Sequence, residues 1–69
     1  MSPAKELTPR QLEILDALAQ GLSNPEIVSA FGICEDRVKD HINAIFTKLN
    51  ATNRTEAVAI AFRKHLLKT

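Results

Sequence analysis

Within seven residues, Arg37-Val38-Lys39-Asp40-His41-Ile42-Asn43, the chain sets a guanidinium, an ammonium, a carboxylate and a carboxamide. None of these groups stands in an arrangement for bond-breaking. No nucleophile has a partnered base. His41, His65 and Cys34 lack the spacing of a metal-ligand cluster. No enzyme activity, metal or cofactor is therefore expected. What the run does offer is ionic and hydrogen-bonding recognition. A carboxamide can pair in two bonds with adenine, a carboxylate can accept from cytosine N4, and a cation can reach guanine acceptors or a phosphate. The same groups on a solvated surface would need no function at all.

The elements that must hold this run are all helical. Thr8-Pro9-Arg10-Gln11 is a capping box with proline in the first turn. Leu12, Ile14, Leu15, Leu18 and Ala19 follow at helical spacing, and Gly21 ends the segment. Ser23-Asn24-Pro25-Glu26 repeats the device, Ile27, Val28 and Phe31 supply an apolar face, and Gly32 closes it. After the short connection Gly32-Ile33-Cys34, Val38, Ile42, Ile45, Phe46 and Leu49 fall on one arc of a third helix. Asp36, Asp40, Asn43, Ala44 and Thr47 lie opposite. Asn50 suits its end. A fourth helix starts near Thr55, taken as its cap, and runs through Leu66. The spacing predicts helices over about 9–20, 24–31, 35–49 and 55–67, in an all-α domain over 8–69, with 1–7 as a lead-in or linker stub. Two helices joined by a glycine turn form a helix-turn-helix, which presents its second helix to the DNA major groove. Many small helical bundles share that pattern.

Composition agrees with one small domain and excludes larger machinery. The chain has 69 residues, 45% of them hydrophobic, enough for a core but only a marginal one. It has no Trp or Tyr and three Phe, which argues against base-stacking platforms. Its one cysteine excludes an internal disulfide. No apolar run approaches membrane-spanning length, and the opening heptapeptide lacks a signal-peptide apolar stretch; a cytoplasmic location without membrane contact is expected. The net charge of +1 hides an asymmetry: residues 1–47 carry four Lys/Arg against seven acids, whereas 48–69 carry five against one. The basic end is the one suited to a polyanion.

Longer strings now become specific. Leu7-Thr8-Pro9-Arg10-Gln11, Leu15 and Ala19-Gln20-Gly21-Leu22-Ser23-Asn24 resemble the opening of a LuxR-type helix-turn-helix domain. The match continues through Glu26-Ile27, Phe31-Gly32, Val38-Lys39, His41-Ile42, Lys48-Leu49 and Asn53-Arg54-Thr55-Glu56-Ala57-Val58, without gaps. The resemblance implies a four-helix output domain of a bacterial transcription regulator, often behind a receiver or ligand-sensing domain. Double-stranded DNA would be its partner, with RNA polymerase as a further one. The third helix would read the major groove, and the fourth would form a homodimer.

The resemblance also implies residue roles. Lys39, Asp40, Asn43 and Arg37 are the candidates for base contacts. For Asp40 a local pairing with Arg37 is an equal alternative, as is a phosphate grip for Arg37. Thr8, Ser23, Asn24, Thr47, Lys48 and Arg54 are the candidates for phosphate contacts; a loop anchor is the alternative for Arg54. By three- and four-residue spacing, Glu56, Ile60, Arg63 and Leu67 are taken as one helical face forming the dimer surface; a core-facing or merely scattered apolar pair, Ile60 and Leu67, is an equal alternative. The chain departs from the family where Cys34 replaces the usual hydroxyl cap, and where Pro25, Ser29 and Ala30 replace frequent basic residues. With Asp36 and Asp40 these changes weaken attraction to DNA, so dimerisation should be needed for tight binding. Two competing readings are a sigma-factor-like promoter-binding region and a degenerate module used for protein contacts.

Overall fold

The computed structural model describes residues 7–67. Positions 1–6, most of the expected lead-in, lie outside the described residues, as do Lys68 and Thr69. Four helices appear in the expected order: α1 (Pro9–Ala19), α2 (Asn24–Phe31), α3 (Glu35–Leu49) and α4 (Arg54–Arg63). No strand occurs among the described residues.

The helix starts follow from local chemistry. Thr8 and Gln11 complete a reciprocal box: Gln11 N–H donates to Thr8 Oγ1 at 3.1 Å, and Thr8 N–H donates to Gln11 Oε1 at 3.1 Å. Ser23 and Glu26 do the same at the head of α2. Each box satisfies backbone donors that the helix cannot satisfy itself. The α3 start is different. Cys34 has the extended backbone of a cap, but its side chain makes no capping hydrogen bond.

All four helix ends use a left-handed residue. Gly21, Gly32, Asn50 and His65 have φ of 86°, 67°, 58° and 59°. The first, third and fourth complete the paired backbone bonds of a Schellman motif. This explains two boundary corrections. Helix α1 stops at Ala19, because Gln20 and Gly21 turn back onto Ala17 and Leu18. Helix α4 stops at Arg63 rather than 67, because His65 N–H bonds to the Phe62 carbonyl and Leu66 N–H to the Ala61 carbonyl. Its cap is also Asn53, not Thr55: Asn53 Oδ1 accepts from Glu56 N–H at 2.8 Å.

Helix α3 is the hub and packs on α1, α2 and α4, while α1 also meets α4. Ile14, Leu15, Ile27, Val38 and Ile45 are fully buried, with Leu18, Ile42 and Leu49 beside them. Leu7 joins this core just before its own cap. Burial of such side chains is worth roughly 1.5–3 kcal/mol each. Helix α4 contributes mainly Ala57 and Ala61, both fully buried. Small side chains there let its backbone lie close to the hub.

Candidate nucleic-acid interface

Helix α3 is two-faced. Val38, Ile42, Ile45 and Leu49 are buried, while Asp36, Asp40, Asn43 and Thr47 are exposed. Spacings of three and four put those four on one ridge. Two flanks border it. Arg37, His41, Ala44 and Lys48 run along one side, and Lys39 and Phe46 along the other. The buried arc ties α3 to the core, so the ridge is held outward on a rigid element.

The flank bearing Lys39 opens into a groove of about 440 Å³, lined by Asn24, Lys39, Ile42, Asn43, Phe46, Asn53 and Arg54. The heads of α2 and α4 meet α3 here. Arg54 bridges the junction: its Nη1 donates to the Leu22 carbonyl at 2.8 Å and its Nη2 to Asn24 Oδ1 at 2.9 Å. Arg54 is thus a loop anchor, whatever else it contacts. The groove gathers cationic groups and two helix heads, all favourable for an anion. Its floor is Ile42 and Phe46.

On the opposite flank Lys48 Nζ donates to Gln11 Oε1 at 3.0 Å. The same oxygen serves the α1 capping box. Lys48 therefore locks the end of α3 to the head of α1, next to Thr8. Asp40 makes no ion pair with Arg37 within 4.0 Å; both side chains are exposed, where such a pair gains little. Arg10 instead pairs with Glu13 at 3.5 Å and lies 5.3 Å from the Phe31 ring centre, linking α1 to α2.

The structure brings Lys39, Asn43, Asn24 and Arg54 together at one groove, with Ser23 at the head of α2 beside it. It places Arg37, Thr8 and Lys48 apart from them on the other side of the ridge. Sequence reasoning missed Asn53, which caps α4 and lines the groove. The signal was present: Asn53 and Glu56 have the same three-residue spacing as the other two boxes. The proposed dimer residues do not form one helical stripe, since Leu67 lies beyond the end of α4. Glu56 Oε1 is engaged locally by Thr52 N–H and Oγ1, at 2.6 and 3.0 Å. Among the described residues Phe62 is the large hydrophobic side chain left open, 40% exposed.

Comparison with known proteins decides what this helix-turn-helix is. Residues 5–61 match the family described as bacterial regulatory proteins, luxR family. The chain belongs to the LuxR family. It is 45% identical over 62 residues to the response regulator protein VraR of Staphylococcus aureus (strain Mu3 / ATCC 700698), and equally to VraR of Staphylococcus epidermidis. Those matches cover 90% of this chain and 30% of each relative. Among solved structures it superposes on the response regulator ChrA of a heme-sensing two-component system, with a TM-score of 0.86 and 41% identity. That match covers 88% of this chain and 30% of the other. The chain thus spans under a third of the length of these relatives. Membership makes it a LuxR-type helix-turn-helix module of the DNA-binding, transcription-regulating kind, not an enzyme. No helix among the described residues is long and apolar enough to cross a membrane.

Proposed function

We propose that this LuxR-type domain binds double-stranded DNA sequence-specifically, with α3 in the major groove. The observation that carries the reading is the exposed ridge of α3, held outward by a buried opposite face and bordered on both flanks by cationic side chains and helix heads. Asp40 and Asn43 on the ridge, with Lys39 and Arg37 beside it, meet base edges. Ser23 and Asn24 face the backbone on one side, with Arg54 joined to Asn24 behind them, Thr8 and Lys48 face it on the other, and Thr47 stands at the end of the ridge. Phosphate contacts set the register and base contacts the preference.

Two copies meet through α4 in this reading. Ile60, Arg63 and Glu56 contribute from one stripe of α4, and exposed Phe62 adds an apolar group from the adjoining face. Paired modules read paired half-sites, which offsets the acidic ridge of each single copy. In a longer regulator this module would sit behind a receiver or ligand-sensing domain, with RNA polymerase as the downstream partner in the cytoplasm.

The test is a titration with random-sequence duplex across several salt concentrations, followed by enrichment of the bound pool. Affinity should fall steeply with salt as counterions are released, and the enriched pool should converge on paired half-sites. No duplex binding at low salt, even for a tethered dimer, would sink the reading in favour of a protein-contact module. That alternative rests on the acids Asp36 and Asp40 of the ridge.

A further inference from the structure

We propose that Arg54 is a positioning residue for DNA, acting through Asn24 rather than as an independent phosphate ligand. The inference rests on the DNA reading above. The chemistry begins with the Asn24 carboxamide, which has an oxygen that only accepts and a nitrogen that only donates. A phosphate oxygen only accepts. Asn24 therefore serves a phosphate with its nitrogen and opposes one with its oxygen.

Arg54 settles which end is offered. A guanidinium has donors alone, so it takes the Asn24 oxygen, and it does so at 2.9 Å. Asn24 Nδ2 then remains as the open donor, with no acceptor among the described residues. Asn24 lines the groove beside Lys39 and Asn43. A second arm of the same guanidinium holds the Leu22 carbonyl at 2.8 Å. Leu22 and Asn24 straddle Ser23, the cap of α2. Arg54 thus clamps the whole head of α2 from the first residue of α4. A lysine would keep the charge but could not reproduce the planar two-armed fork.

The experiment uses the 69-residue chain, a labelled 30-base-pair random-sequence duplex, and the variants Arg54→Lys, Asn24→Ala and the double variant. Binding is measured by fluorescence anisotropy under conditions where circular dichroism shows each variant folded. Arg54→Lys and Asn24→Ala should each weaken binding by roughly 3–10-fold, the size of one lost hydrogen bond. The double variant should lose no more than either alone, and the salt slope of Arg54→Lys should match the unsubstituted chain. Multiplicative losses in the double variant, or Arg54→Lys binding within twofold of the unsubstituted chain, would overturn the proposal. An independent readout needs no substitution: the side-chain amide pair of Asn24 in a nitrogen-15 spectrum should shift on adding duplex. An unmoved pair in a bound complex overturns the proposal while leaving the DNA reading intact. Absence of any complex with the unsubstituted chain overturns both.

Discussion

Cys34 occupies the cap position of α3 without capping it. Its backbone already has the extended geometry of a cap, so only the acceptor is missing. Cys34→Ser should therefore stabilise the domain by about 1 kcal/mol, read as a higher urea midpoint with unchanged slope. Glu26 illustrates the opposite case, a cap completed by a charge. Hydrogen bonds from the Ser23 backbone and side chain hold its carboxyl below the usual glutamate range. The lowered value means that ionised Glu26 favours the folded state. Its contribution is present above the unfolded value and is lost as pH falls through the folded one. The urea midpoint should drop across that acid window, and less so in Glu26→Gln, whose amide oxygen still accepts from Ser23 N–H. Equal acid profiles for the two proteins would remove Glu26 from the account. The Ser23–Glu26 box was legible in the sequence, because a capping box needs only residue types three apart, whereas Cys34 stood out only against the family resemblance. For Arg54 the anchoring role was named only as an alternative and its partners were not legible, because Leu22 and Asn24 lie some thirty positions away.

Among the elements, α4 departs furthest from its sequence pattern. Apolar residues continue past Arg63 to Leu67, so periodicity extends the helix too far. The backbone instead reverses at His65, a residue without the glycine freedom that this conformation favours. His65→Gly should stabilise the domain by about 1 kcal/mol, measured as a rise in the thermal midpoint. The early end of α4 also shifts attention on its outer surface from Leu67 to Phe62. Phe62→Asp should leave the fold intact and abolish self-association in sedimentation equilibrium, because an exposed side chain loses little on folding while a buried carboxylate at an interface costs much. A monomer–dimer balance indifferent to Phe62→Asp would place the dimer surface elsewhere. Helix α3, in contrast, was read with its correct bounds. Its apolar arc is narrow and regular, and Asn50 takes the left-handed end that its type allows.

The whole molecule is a hub helix wrapped by three others, and its tolerance for change follows from that packing. Ala57 and Ala61 are fully buried where α4 lies on the core. Ala57→Leu should cost roughly 1–3 kcal/mol by overpacking, seen as a lower urea midpoint, and should pull Arg54 away from the head of α2. The four helices, the capping boxes of α1 and α2, the buried arc of α3 and the family likeness were determined by residue types at short spacing. Such features need only local geometry, and one chain carries them openly. The grouping of Lys39 and Asn24 against Lys48 and Thr8 was decided by tertiary structure alone. So were the bond from Lys48 to Gln11 and the reach of Arg54 across to α2. These depend on the angle at which separate helices meet, which is set by core volumes summed over the fold rather than by any one segment.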